Sequence, residues 1–278
     1  VESEAAGTAV LIRVLEAVGL VVAPFATLTG LLYYFGWVRT NAIFSEFGID
    51  ANLLKYTTQD YLLRSAGVAF RPCAAVLLGA AVVLLAHRLL TRALENRPRH
   101  RQAVLSEVIA LALLLLAPGV GVLFGRTSLL TPLTAAAALI TGVLLLEVAV
   151  SLWTAGERTE RLLRRGIVAG VVVVGLFWAF SVYAQQTGDR LAAGLSGNLG
   201  VLANAVVLST DDLSLAGPGV VRTDLGEGVA YRYQYTGLRL LVYRNDRWFL
   251  LPSGWHGDPA ARAIVLPDGT GLRVELSR

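Results

Sequence analysis

The apolar residues fall into five long runs, at residues 18–37, 67–90, 104–124, 133–153 and 167–184. Coiled as helices that rise 1.5 Å per residue, such runs reach about 27 Å or more, enough to cross the hydrocarbon core of a bilayer. A water-soluble core has no use for that length. The pattern therefore predicts an α-helical polytopic membrane protein of five spans over residues 1–187. After the fifth run the grammar changes. Residues 188–200 carry Gly188, Gly194, Gly197 and Gly200 and read as a linker. Residues 201–278 then hold short strand-like segments at 205–208, 220–222, 229–235, 238–243, 248–251, 263–266 and 272–276. Asn245-Asp246 supplies a turn between 238–243 and 248–251, and Pro267-Asp268-Gly269 supplies one between the last two segments. The prediction is a C-terminal extracytoplasmic small all-β domain, an antiparallel sandwich or barrel.

The connection at 38–66 has structure of its own. Ile43, Phe44 and Phe47 recur at helical spacing, Gly48 breaks the segment, and Asp50 is placed to cap a second short helix holding Leu53 and Leu54. An amphipathic pair of this kind is expected on the membrane surface or dipping into it. Thr57 and Asp60 have the spacing of a capping box that opens the second spanning helix, within which Pro72 is a point of kinking.

Arginine sets the expected orientation. Arg88, Arg92, Arg97, Arg99 and Arg101 lie between runs two and three, and Arg158, Arg161, Arg164 and Arg165 between four and five, against Arg126 alone between three and four. Basic residues concentrate in cytoplasmic loops, which places the N-terminus in the cytoplasm and the β domain outside the plasma membrane. The 38–66 connection weakens this inference without reversing it, because Arg39, Lys55, Arg64 and nearby Arg71 are opposed by Glu46, Asp50 and Asp60. The leader is acidic at Glu2, Glu4 and Glu16, unlike the basic leader of a cleaved signal peptide, so the first run is read as a retained span. Tyr33, Tyr34, Trp37, Trp178 and Tyr183 at outer ends and Trp153 at an inner end fit interfacial aromatic belts.

Composition agrees. Only 16% of residues are charged, where soluble domains hold about a quarter, and mean hydropathy is +0.61. Of the 24 basic residues, Lys55 alone is a lysine, a drift typical of GC-rich bacterial genomes. The single cysteine, Cys73, excludes an internal disulfide and reads as a small buried apolar residue. In residues 201–278 eight arginines balance eight carboxylates, so that region has no basic footprint for nucleic acid.

Two stretches carry a resemblance: Phe44-Ser-Glu-Phe-Gly-Ile-Asp50 with Gln59-Asp-Tyr-Leu-Leu-Arg64, and Tyr233-Gln-Tyr-Thr-Gly-Leu-Arg-Leu-Leu-Val-Tyr243 with Trp248-Phe-Leu-Leu-Pro-Ser-Gly-Trp255. They resemble segments of uncharacterised multi-pass membrane proteins of high-GC Gram-positive bacteria. The resemblance covers most of the chain and implies source and organisation, with no activity attached.

Candidate chemistry lies with ionisable residues inside the apolar runs, because a charge at the bilayer centre costs at least about 2.5 kcal/mol unless it meets water or a partner. Glu107 and Glu147 sit in the cytoplasmic halves of spans three and four, and Glu16 opens span one on the same side. Two readings stand side by side: the three carboxylates line an inward-facing ion pathway, or they pair with the arginines of the two cytoplasmic loops. Arg71, next to Pro72, marks an outer hinge or anion contact, or reaches lipid phosphate, Glu46 or Asp60. Thr27 and Thr29 are expected to bond their own helix backbone. Small residues four apart (Gly121 and Gly125, Gly166 and Gly170, Ala75 and Gly79) offer faces for close helix packing, within one subunit or between subunits. His87, His100 and His256 are scattered, and no catalytic, cofactor-binding or metal motif stands out.

The leading functional expectation is a homo-oligomeric channel or transport protein in the lipid bilayer, with an extracytoplasmic β cap. The alternative is a non-transporting envelope sensor or assembly protein whose β domain binds an extracytoplasmic protein or ligand. A lipid-handling enzyme is the third class, with no residues to nominate.

Overall fold

The computed structural model describes residues 2–95, 101–125, 130–153, 158–255 and 261–278, with side chains from Val22 onward except at 23–24, 90, 93–95, 101, 123 and 158. Among the described residues, five α-helices come first: α1 Glu2–Ser45, α2 Thr58–Glu95, α3 Arg101–Leu123, α4 Pro132–Trp153 and α5 Arg158–Gly197. Six strands follow among the described residues: β1 Asn204–Ser209, β2 Val221–Asp224, β3 Tyr233–Arg244, β4 Arg247–Pro252, β5 Ile264–Pro267 and β6 Leu272–Ser277. Among the described residues, four helical segments are long and apolar enough to cross a membrane: Thr58–Leu89, Gln102–Val122, Pro132–Trp153 and Thr159–Gly197. These are the marks of a multi-pass membrane protein. The first apolar run, 18–37, lies within α1.

The chain forms two compact units, one of residues 1–65 with 185–278 and one of residues 66–184. This division differs from the linear order of 1–187, 188–200 and 201–278, because the 38–66 connection belongs with the strands.

In the unit of residues 66–184, α3 and α4 form a tight antiparallel pair. Gly119 faces Ala135 and Leu139, and Gly142 faces Ala112 and Leu116; a Cβ at 142 would stand 2.8 Å from Leu116 Cγ and 3.0 Å from the Ala112 carbonyl oxygen. The absent side chains let the backbones approach closely. Gly175 of α5 meets Ile140 of α4 in the same way. The small pairs picked out by sequence lie elsewhere: Gly79, Gly125, Gly166 and Gly170 have open space where a Cβ would be. Helix α2 is the least enclosed, with 6% of its apolar window buried against 28% for α4. Cys73 on this helix is exposed, which corrects the expectation of a buried residue.

The other unit is built on a six-stranded antiparallel sheet in the order β5-β4-β3-β1-β6, with β2 also pairing to β3. The twelve-residue β3 holds β2 along residues 233–236 and β4 along residues 238–244, so two short strands follow one another along its flank. Gly237 sits at the changeover with φ +75°, and a Cβ there would overlap the Gly219 carbonyl oxygen. Only glycine suits both the backbone angle and the close approach. The Asn245-Asp246 turn is as expected: both residues have positive φ, 53° and 50°, the geometry of a tight two-residue hairpin. The hairpin expected across Pro267-Asp268-Gly269 is not formed as a ladder, since β5 pairs with β4 and β6 with β1. Four strand spacings of about 4.8 Å would separate β5 from β6 by roughly 19 Å in a flat sheet, near the full reach of the connection at 268–271. With the Leu272 N–H folded back on the Gly269 carbonyl, that reach is not available, so the sheet is not flat.

Each face of the sheet has its own core. On one, Ala205, Val207, Tyr235, Leu238, Leu250 and Leu266 pack together and are joined by Leu213 and Leu215 from the β1–β2 connection. That connection is pinned through Asp212, which accepts from the Tyr235 hydroxyl at 2.6 Å and from Arg222 Nε at 3.1 Å. These bonds hold the Asp212 carboxyl below the usual carboxylate range, the tyrosine bond contributing most.

On the other face, Phe249, Leu251 and Trp255 pack with Ile43, Phe44, Phe47, Ile49, Leu54, Tyr56, Tyr61, Ala192 and Leu199. The 38–66 connection, expected on the membrane surface or dipping into it, packs one face against the sheet. Ile43, Phe44, Phe47, Ile49, Leu54, Tyr56 and Tyr61 are buried against the sheet and helix α5, each full burial contributing about 2 kcal/mol, while Leu53 and Leu63 stay exposed. The caps are as expected. Asp50 accepts from Asn52 N at 2.8 Å and opens a short 3-10 helix, Ala51–Leu54, while Thr57 and Asp60 bond each other's backbone N–H at the start of α2. Residues 188–197, expected as linker, continue α5. Gly188 lets that helix pass α1, since a Cβ there would lie 2.6 Å from both Ala42 Cβ and the Arg39 carbonyl oxygen.

Candidate functional site

Glu147 and Arg164 face one another across α4 and α5, with Glu147 Oε2 2.8 Å from Arg164 Nε. The arginine N–H is poorly directed at the carboxylate, so the contact is chiefly an attraction of charges. Both side chains are largely enclosed, 16% and 26% exposed respectively, and in low dielectric such a pair lowers the cost of burying either charge. Glu107 lies on α3, and the glycine contacts fix an antiparallel register that sets it level with Glu147. Its side chain is exposed. Glu16 is on α1 at a position whose side chain lies outside the described residues, as do Arg97, Arg99, His100, Arg126 and His256. Arg71 is exposed on α2. Of its expected partners, Asp60 is engaged by Arg244 at 2.6 Å, and Glu46 lines a groove described below. Thr29 Oγ1 donates to the Phe25 carbonyl at 2.8 Å, as expected of a threonine satisfying its own helix.

Two features of the sheet-bearing unit were not visible in the sequence. The first is a cluster around Tyr56. Arg64 of α2 lies with Cζ 4.2 Å from the tyrosine ring centre and donates from Nη2 to its hydroxyl at 2.9 Å. Arg244 of β3 lies 4.9 Å from the same ring centre. Arg39 of α1 donates to the Arg64 carbonyl at 2.8 Å. Burial pushes the Tyr56 hydroxyl up in pKa, and the two guanidinium charges oppose that shift. Burial, and then the charge of Arg64, lower the pKa of Arg39. Each cation over a ring adds roughly 0.5–2 kcal/mol, so the cluster ties the α1–α2 connection to β3. Asn245 at the β3–β4 turn reaches the Leu53 carbonyl at 3.4 Å and reinforces the tie.

The second feature is a groove of about 490 Å³, a size typical of ligand sites. Phe47, Ile49, Leu53 and Trp255 line it with Ala261, Ala263 and Val265, and Glu46 and Arg262 bring opposite charges to the lining. Residues 46–53 come from the connection after α1, while 263–265 lead into and along β5. The Trp248-to-Trp255 stretch was legible as a strand and as part of the resemblance, but nothing in its spacing paired it with residues 46–53.

No protein-family model, curated protein sequence or solved structure matches this chain.

Proposed function

We propose that the protein is a non-transporting integral membrane protein of the bacterial plasma membrane whose β-bearing unit binds an extracytoplasmic partner, in sensing or envelope assembly. The observation that carries this reading is the groove at 46–53 and 261–265, which joins an apolar lining to one carboxylate and one guanidinium. The engagement of Glu147 by Arg164 supports it further, because a paired carboxylate is an anchor between helices before it is an ion ligand. The same proposal includes five spans, with α1 as the first, a cytoplasmic N-terminus and an extracytoplasmic β unit. The arginine distribution supports that orientation. The resemblance to multi-pass proteins of high-GC Gram-positive bacteria supports the source. Association into homo-oligomers is supported by the open small faces of Gly79, Gly166 and Gly170.

A second reading, the channel or transporter, is favoured by one observation: Glu107 stands exposed at the level of Glu147. Ion flux through purified protein in liposomes separates the two. Flux no greater than in empty vesicles, under varied voltage, tension and pH, is expected. Flux whose selectivity changes in Glu107→Gln would establish the channel reading instead. Capture of a stable partner in detergent, released by Ala261→Trp, completes the expected result.

A further inference from the structure

Strand β5 is an edge of the sheet, and hydrogen-bond parity shows which of its backbone groups point outward. Arg244 and Arg247 close the two-residue turn and form a hydrogen-bonded pair, so odd-numbered residues of β4 face β3 and even-numbered ones face β5. Ser253, also odd, donates to the Gly237 carbonyl at 2.8 Å on the β3 side and continues that alternation. Across the next ladder, Trp248 opposes Leu266 and Leu250 opposes Ile264. Ile264 and Leu266 therefore spend their N–H and C=O groups on β4, as Asp268 does in donating to the Asp246 carbonyl at 2.8 Å. Ala263 and Val265 are left with N–H and C=O directed away from the sheet, and Pro267, having no N–H, ends the series. Both of these outward-facing residues line the groove.

Strands β5 and β6, at the two ends of the main strand order, are unlike. On β6, Arg273 and Glu275 form an ion pair at 2.9 Å, the kind of charged edge that discourages further pairing. Strand β5 reads Ile264-Val265-Leu266 with no charge. Among the described residues this edge is open and uncharged, and beside an apolar groove it matches one kind of ligand: a backbone for the ladder and a bulky side chain for the groove.

Resting on the binding role proposed above, we infer that the groove takes an extended peptide segment of a partner protein, which adds to the edge of β5 through Ala263 and Val265. An apolar side chain of that segment seats among Phe47, Ile49, Leu53 and Trp255. Glu46 and Arg262 then meet complementary charges flanking it.

The test uses the full chain in detergent micelles and fluorescent, end-blocked octapeptides of threonine with one central Leu, Phe or Trp. Fluorescence anisotropy is expected to show binding at least tenfold tighter than for the all-threonine peptide. N-methylation of alternate peptide amides provides the second arm. Methylation in one phase is expected to cost at least tenfold and in the other less than twofold, because only one set of amides meets the strand. Ala261→Trp, which fills the groove, and Ala263→Pro, which removes an outward N–H, should each weaken binding at least tenfold. Unchanged circular dichroism of Ala261→Trp separates this loss from misfolding. No binding by any probe, binding independent of the central side chain, or equal sensitivity to both methylation phases would overturn the inference. So would Val265→Cys, in a Cys73→Ser background, cross-linking mainly to a second copy of itself. A detergent-stable partner that survives Ala261→Trp would sink the peptide inference while leaving the binding role standing.

Discussion

The Tyr243 hydroxyl donates to the Asp268 carboxylate at 2.7 Å, tying β3 to the residue after β5. That bond, with the negative charge behind it, raises the tyrosine pKa to about 12. Below pH about 10, the ordinary tyrosine value, folded and unfolded chains both keep the proton and the contribution is complete. Between that value and about 12 only the unfolded chain ionises, so stability falls as pH rises. Denaturant melts across this alkaline range are expected to show the loss in the native protein and a smaller one in Tyr243→Phe. An equal loss in both would place the alkaline sensitivity elsewhere. Neither partner announces the other in the sequence, where they lie on different segments. What sequence does show is the Asn245-Asp246 turn, because residues that tolerate positive φ are few.

Helices α4 and α5 meet through Gly175 against Ile140 and through the Glu147–Arg164 pair. Glu147→Gln or Arg164→Gln leaves the remaining charge enclosed, and each is expected to destabilise the helical unit by about 1–3 kcal/mol. The exchange Glu147→Arg with Arg164→Glu should recover much of that loss, as read from thermal unfolding in detergent. Independent, additive losses would mean that the two side chains do not support one another. The apolar runs made the helices legible, since nothing but a membrane favours such lengths. The pairing was legible only as a choice between a pathway and an anchor, because the loops offered several arginines and the spacing named none. Residues 188–197 show the converse limit. Three glycines in that stretch read as linker, yet Gly188 serves a close crossing of α5 with α1, and Ala192 is buried in the shared core.

For the molecule as a whole, the orientation proposed from arginine counts has a direct check. In a Cys73→Ser background, an impermeant maleimide should label Ser277→Cys in intact cells and Arg92→Cys only after permeabilisation. The reverse pattern would invert the protein in the membrane. Sequence conveyed the class of protein because hydrophobic length and strand alternation are local signals. It did not convey the union of residues 1–65 with 185–278, because an apolar helical face reads the same whether lipid or a sheet covers it. That union governs how the protein is made. Phe44 and Phe47 leave the ribosome about 200 residues before Phe249 and Leu251, which at roughly 5–20 residues per second is a delay of about 10–40 s. Through that interval the emerging chain holds an aromatic surface whose own cover has not been synthesised. Biogenesis of this protein therefore requires a temporary shelter for that surface, from lipid or from the insertion machinery, before its last strands arrive.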